Sequence, residues 1–208
     1  MAAIEIYERG GRMGTGRLEA FSDGVIAIII TIMVLELKAP EGHNIAALVP
    51  LAPVLLSYVL SFVYVGIYWN NHHHMLHACQ EVSGGILWAN LHLLFWLSLI
   101  PFATAWLGEN HFSSGPAAFY GAILLLSAIA YVILQQRFIT SQEGKRDVLK
   151  QAIGDDFKGK LSVMMYVAGI GLAFWQPRIS LMLYGLTAVI WFIPDRRIEK
   201  VVKAESGD

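Results

Sequence analysis

The sequence contains little charge, since only 15% of its 208 residues are charged whereas 56% are hydrophobic. The mean hydropathy is correspondingly high, at +0.54. A soluble domain needs more charge than this to cover its surface, so the composition indicates a membrane protein with several spanning helices. The formal net charge of −1 gives no indication of a nucleic-acid partner. The single cysteine, Cys79, excludes a disulfide framework and a zinc site built from cysteines.

The sequence also lacks a signal-peptide pattern before its first apolar stretch. Residues 1–16 are polar and contain glycine, and no small-residue cleavage site follows Leu37. We therefore expect that stretch to remain as a spanning helix. A spanning helix needs about 20 mostly apolar residues, and six segments qualify approximately: 18–37, 46–70, 85–107, 116–136, 160–176 and 178–194. The sequence predicts an all-α membrane protein with a single six-helix transmembrane domain over residues 1–208.

The distribution of positive charge predicts the orientation. Of the 15 Lys and Arg residues, 13 lie before the first segment, between the fourth and fifth, or after the sixth. Only Lys38 and Arg178 lie in the remaining loops. By the positive-inside rule both termini are cytoplasmic, which agrees with an even number of spans.

Ionisable residues lie at the start of the first apolar segment. Arg17 and Asp23 stand where the chain enters a long apolar helix. A carboxylate close to the hydrocarbon is costly and usually has a functional or assembly role. The two residues are six apart and poorly placed to pair along one helix, so we expect Asp23 to bond a group on another helix.

Further along this segment, one side of the helix forms an apolar stripe. At about 100° per residue, Ile28, Thr31 and Leu35 share one face, with Ile32 at its edge and Gly24 one turn earlier. The stripe is apolar apart from one hydroxyl. From the pattern alone, contact with lipid or a neighbouring helix is the ordinary explanation, and a pore lining is the alternative.

The second segment ends in a histidine-rich run, His72-His-His-Met-Leu-His77. His73 and His77 are four residues apart, a spacing that can hold a metal ion on one helix face. A histidine-box metalloenzyme needs further boxes that the sequence lacks, so we expect no catalytic metal. We expect instead that His72 or His73 hydrogen-bonds the Ser22/Asp23 end of a first helix.

Several motifs together resemble a known family. Arg17-x-x-x-Phe21-Ser22-Asp23 at the head of the first span resembles the signature of the endosomal and lysosomal potassium channel family (transmembrane protein 175). The similarity extends over nearly the whole chain, through the pieces Trp69-x-x-His72-His73, Asn90-Leu-x-Leu-Leu-Phe95, Ile100-Pro101-Phe102-Ala-Thr104 and Trp191-Phe-Ile-Pro194-Asp195-Arg196-Arg197.

The resemblance implies a potassium-permeable cation channel rather than an enzyme, in a bacterial plasma membrane, with no cofactor beyond the permeant K⁺. It implies a homotetramer in which the first helices surround the ion path. The constriction carries over onto rings of Ile28 and Leu35, with Thr31 between them and Gly24 and Ile32 adjacent. Such rings offer an ion no carbonyl ligands, so we expect modest selectivity for K⁺ over Na⁺.

The motif residues of the first helix receive a different role. We expect Arg17, Phe21, Ser22 and Asp23 to support assembly and gating, with Trp69, His72, His73 and Asn90 as possible partners.

A secondary transporter is the main alternative. It predicts internal repeats, broken helices and a midplane binding site. The sequence has no internal repeat, and Pro101 is the only proline well inside a span, where we expect a kink.

Overall fold

The computed structural model describes residues 15–77, 82–141 and 157–192. Within these ranges the chain is helical. Seven α-helices follow in order: α1 Thr15–Leu35, α2 Ala52–His77, α3 Gly84–Ser98, α4 Ile100–Glu109, α5 Ser114–Ser141, α6 Phe157–Ala173 and α7 Pro177–Phe192. A short 3₁₀-helix, Ile45–Leu51, leads directly into α2.

Among the described residues, four helical segments are long and apolar enough to cross a membrane: Thr15–Leu35, Ile45–His77, Gly84–Glu109 and Ser114–Ser141. Helices α6 and α7 contain 17 and 16 residues, which gives lengths of about 25 Å. This is slightly less than a hydrocarbon core of about 30 Å. The last predicted span reaches residue 194, beyond the described residues. The division into six spans therefore stays a prediction for this end of the chain.

Prolines explain two departures from uninterrupted spans. The second predicted span starts as a 3₁₀-helix containing Pro50, and regular α-helix begins only at Ala52. The third is divided at Leu99 into α3 and α4, with Pro101 in the first turn of α4. Proline has no backbone N–H and its ring clashes with the preceding turn, which interrupts the hydrogen-bond ladder. The break lies where the sequence predicts a kink.

The helices pack around a core that contains buried hydroxyl groups. Helix α5 packs against α3 and α6, α6 against α7, and α2 against α4. Between them, Thr104 Oγ1 donates to Ser61 Oγ at 2.6 Å, and Ser61 Oγ lies 2.9 Å from Tyr120 Oη. Tyr64 Oη donates to the Tyr184 carbonyl at 2.6 Å. These bonds satisfy polar groups that neither lipid nor water would reach.

The ring of Tyr184 occupies space that glycines leave free. A Cβ atom at Gly121 would collide with the Tyr184 hydroxyl, and one at Gly169 would collide with the same ring. Helices α5, α6 and α7 therefore approach closely around one side chain, and α1 packs on the other part of the molecule, against α2, α3 and α4.

Candidate functional site

The inner face of α1 is packed against the rest of the chain. Its buried residues recur at helical spacing: Leu18, Ser22, Ile26, Ile29 and Met33. Ile26, Ile29 and Met33 are each 3% exposed or less. These residues pack against α2, α3 and α4. Because one face of α1 must meet these helices, the rotation of α1 about its own axis is fixed.

The outer face of α1 carries the predicted stripe. Ile28 is 58% exposed and Leu35 is 80% exposed, and Gly24, Thr31 and Ile32 are exposed as well. The stripe lies on the side of the helix away from the buried residues. The structure therefore brings the predicted pore residues together on one surface that the other described residues leave uncovered.

The composition of this surface differs from that of other exposed faces. Large exposed aromatic residues lie on several helices, among them Phe62, Trp88, Phe95, Phe102 and Phe192. From Gly24 to Leu35, in contrast, α1 contains no aromatic residue. Several copies of a helix can surround a narrow axis only if the facing side chains are of limited size. The outer face of α1 meets this condition.

Thr31 is the only hydroxyl of the stripe. Its Oγ1 donates a hydrogen bond to the carbonyl of Ile28 in the preceding turn, at 2.8 Å. The hydroxyl proton is thus used within the helix, and the oxygen lone pairs remain available on the exposed side. Thr31 can present an acceptor to a cation, whereas Ile28 and Leu35 offer no ligand atoms.

Asp23 lies at the edge of this surface and bonds another helix. Trp69 Nε1 in α2 donates to Asp23 Oδ1 at 3.0 Å. Arg17 and Phe21 are exposed near the same end of α1, and Phe21 is 53% exposed. The motif thus includes one residue fastened to α2 and two that face outward.

Ser22 is the buried member of the motif and links three helices. His72 Nε2 in α2 lies 2.7 Å from Asn90 Oδ1 in α3, and Asn90 Nδ2 donates to Ser22 Oγ at 2.9 Å. Ser22 Oγ in turn donates to the Leu18 carbonyl at 2.8 Å. His72 therefore reaches the first helix through Asn90 rather than directly. All of these side chains are buried, so the chain of bonds holds α1 in a defined register.

His73 contacts a residue that the sequence reasoning did not consider. Its Nδ1 lies 3.0 Å from Glu19 Oε1, and His77 Nε2 lies 3.8 Å from the same oxygen. The signal available in the sequence was a second carboxylate, Glu19, one turn before Asp23 at the mouth of an apolar helix. Within one chain, His73 therefore lies beside Glu19, while Asp23 is bonded by Trp69.

The arrangement separates two chemical tasks on one helix. Hydrogen bonds from α2 and α3 hold the motif end of α1, and the uncovered stripe beyond it offers apolar side chains and one hydroxyl acceptor. Such a surface does not hold convergent catalytic groups. It suits a constriction that admits or excludes water.

Comparison with known proteins identifies the family. The model of the family described as "Endosomal/lysosomal potassium channel TMEM175" matches residues 17–101. A potassium channel from Chryseobacterium sp. (strain P1-3) is 58% identical over 191 residues, covering 92% of this chain and 99% of the relative. This chain belongs to the TMEM175 family. A potassium channel from Streptomyces collinus is 30% identical over 187 residues, covering 85% of this chain and 91% of that relative.

A solved structure in the TMEM175 family has the same fold. The crystal structure of a lysosomal potassium-selective channel TMEM175 homolog from Chamaesiphon minutus superposes with a TM-score of 0.73 at 29% sequence identity. The match covers 87% of this chain and 97% of that one. The resemblance deduced from the motifs is confirmed, as is the all-α membrane fold. The family is one of ion channels rather than enzymes.

Proposed function

We propose that this chain forms a homotetrameric, potassium-permeable cation channel in which α1 lines the ion path. Ile28 and Leu35 form the narrow rings, Thr31 lies between them, and Gly24 and Ile32 flank the path. The proposed membrane is the plasma membrane of a bacterium, with both termini in the cytoplasm and no cofactor beyond the permeant K⁺. The relatives named as potassium channels support the permeant ion.

The observation that carries the proposal is the uncovered stripe of α1. A helix that is apolar all round and packed on one side needs a covering for its other side, from lipid or from further copies. The stripe lacks aromatic residues, carries one hydroxyl and begins at the family motif. These features favour packing around an axis over contact with lipid chains.

The mechanism follows from the chemistry of the rings. Isoleucine and leucine cannot replace the hydration shell of an ion, so a closed ring excludes ions by dewetting. Conduction requires the rings to widen until a partly hydrated ion passes. Na⁺ holds its water more tightly than K⁺, so K⁺ is favoured modestly. The Thr31 oxygens supply the polar contact along the stripe.

Flux from purified protein in liposomes tests the activity. We expect K⁺ to permeate faster than Na⁺, and a large organic cation such as N-methyl-D-glucamine not to permeate. Native mass spectrometry of the same preparation should give a mass of four chains. Equal flux of all three cations, or a monomeric species that conducts, would refute the proposal.

Cysteine accessibility tests which residues line the path. In a background with Cys79 replaced by Ser, Ile28→Cys and Leu35→Cys should react with a water-soluble thiol reagent and lose flux. Val34→Cys is the matched control, because Val34 is 46% exposed but lies about 120° from Ile28 around the helix. If the reagent leaves flux through both pore variants unchanged, α1 does not line the path.

A further inference from the structure

The cluster of Glu19, His73 and His77 is unrelated to the stripe and has its own chemistry. One ligand atom from each residue lies within 4.8 Å of the other two. Glu19 Oε1 is 3.0 Å from His73 Nδ1 and 3.8 Å from His77 Nε2. The two imidazole rings are 4.3 Å apart between centroids. Three atoms that can donate an electron pair to a metal therefore converge at one point between α1 and α2.

The distances suit a small divalent ion of the transition-metal series. Zinc binds imidazole nitrogen and carboxylate oxygen at about 2.0–2.2 Å in tetrahedral geometry, which places neighbouring ligand atoms about 3.3 Å apart. Two histidines at positions i and i+4 present their nitrogens from one helix face, as in known helical zinc sites. His73 and His77 have this spacing, and Glu19 adds the third ligand from a different helix.

The exposure of the cluster allows an ion to enter. The side chains of Glu19 and His73 are 25% and 36% exposed, whereas that of His77 is 64% exposed. The site is therefore anchored on its inner side and open at His77. A fourth coordination position is left for water. Trp69 stacks on His73 with ring centroids 6.0 Å apart, which restrains the orientation of the His73 ring.

We propose that Glu19, His73 and His77 bind a divalent transition-metal ion of the zinc class, and that the bound ion ties the motif end of α1 to the end of α2. Glu19 is nine residues before Ile28, which places it about 180° from Ile28 around the helix. The ion therefore binds outside the stripe. It contacts α1 at Glu19, on the face opposite Ile28 and four residues before Asp23, and does not occupy the proposed ion path.

Zinc titration and thermal melting of the detergent-solubilised protein test the site, and neither requires permeation. The protein is purified without a polyhistidine tag and with Cys79 replaced by Ser, because both groups would bind zinc. We expect zinc to bind and to raise the melting temperature, since an ion that binds only the folded state stabilises it. Mg²⁺ should do neither, because it prefers oxygen ligands.

Three variants separate this site from simpler alternatives. His77→Ala and Glu19→Gln should each weaken zinc binding by about tenfold or more and reduce the thermal shift at a given zinc concentration. His74→Ala is the matched control, because His74 is exposed on the same helix and outside the cluster, so it should bind as the parent does.

Two results would overturn the proposal. If Glu19→Gln binds zinc as tightly as the parent, the ion uses histidines of α2 alone and does not link the helices. If His74→Ala loses binding as much as His77→Ala does, zinc is held by the histidine run without a defined site. In either case the flux measurements described above still decide separately whether the chain is a channel.

Discussion

The two faces of α1 carry similar residues in different surroundings. Ile28 and Ile29 are adjacent and identical in type, yet Ile28 is 58% exposed and Ile29 is 3% exposed. Both belong to the same uninterrupted helix. Because the helix is apolar all round, composition alone does not distinguish the two faces. The role of each face follows from what covers it. Adjacent residues lie about 100° apart around the helix axis, so Ile28 and Ile29 fall on different faces and have different roles.

The hydroxyl groups of α1 repeat this contrast. Ser22 is fully buried and is bonded by Asn90 from α3, so it joins the helix to its neighbours. Thr31 is exposed and its described hydrogen bond is to its own helix. On the inner face a polar group fixes position, and on the outer face it leaves an acceptor for a visiting ion. Substitutions on the inner face should therefore change stability, and those on the outer face should change flux.

The largest contrast is expected from the same substitution at adjacent positions. Ile29→Asn buries an amide without a prepared partner and loses packing, which should cost about 3 kcal/mol or more of stability. Ile28→Asn should leave the fold intact and raise K⁺ flux about tenfold, equivalent to about 1.4 kcal/mol in barrier height. It should also weaken discrimination against Na⁺. Melting temperature and liposome flux are measured for both.

The parent protein and Ile28→Ala complete this comparison. The alanine variant enlarges the ring without adding a polar group, so its flux should lie between those of the parent and the asparagine variant. If Ile28→Asn instead destabilises the protein as much as Ile29→Asn does, with flux unchanged, the outer face is a packing surface and not a path.

A smaller loss of stability is expected from Asn90→Ala, because the inner face of α1 is bonded to α3 through this one side chain. Asn90→Ala removes the link between His72 and Ser22 and leaves both buried groups without this partner. The loss should be about 1 to 2 kcal/mol, given the modest value of such bonds between membrane helices. The measurement is the melting temperature in detergent, together with the fraction of tetramer retained.

Asn71→Ala is the control for Asn90→Ala. Asn71 Nδ2 donates to the Ile67 carbonyl of its own helix at 2.8 Å, so its loss breaks no hydrogen bond between helices in the part of the chain that the structure describes. Equal destabilisation by both alanine variants would show that the linkage through Asn90 contributes nothing beyond local packing.

A weaker effect is expected at the edge between the two faces. Asp23→Asn keeps the shape of the acceptor for Trp69 but removes its charge, and bonds to charged groups are stronger than neutral ones. We expect a loss of about 0.5 to 1 kcal/mol in tetramer stability and little change in relative permeability. Combining Asp23→Asn with Trp69→Phe should be less than additive, because the two residues share one bond. A stable tetramer with strongly altered K⁺ over Na⁺ selectivity would contradict this assignment.

The sequence predicts the helices and the stripe because both depend on local periodicity. Long apolar runs mark the spans, and the 3.6-residue repeat places Ile28, Thr31 and Leu35 on one face without knowledge of the neighbours. Pro101 likewise predicts the break at Leu99, whereas the 3₁₀ start of the second span, which contains Pro50, is not predicted from the sequence. The motif resemblance adds the family, which the structure comparison confirms.

The contacts between helices are less accessible from sequence, because they depend on relative register. His72 and His73 are adjacent in an apolar helix, and periodicity alone does not say which faces α3 and which faces Glu19. The sequence around Asn90 does not by itself indicate that it bonds Ser22, because that bond depends on the position of α3 beside α1. For the same reason the histidine run alone supplies only two ligands of the proposed metal site, His73 and His77. The third, Glu19, lies on another helix and is found only when the helices are placed together.

The smallest effect is expected at Thr31, which is exposed on the outer face and also donates a hydrogen bond within its own helix. Thr31→Val replaces the hydroxyl by a methyl group at nearly constant volume, so the width of the path is kept and the acceptor is lost. Because the hydroxyl proton is bonded to Ile28, only the oxygen lone pairs are available to a passing ion. We expect K⁺ flux to fall about threefold, equivalent to about 0.6 kcal/mol in barrier height, with no change in melting temperature. Thr31→Ser keeps the oxygen and should keep the flux. If serine reduces flux as much as valine does, shape rather than the hydroxyl governs permeation at this ring.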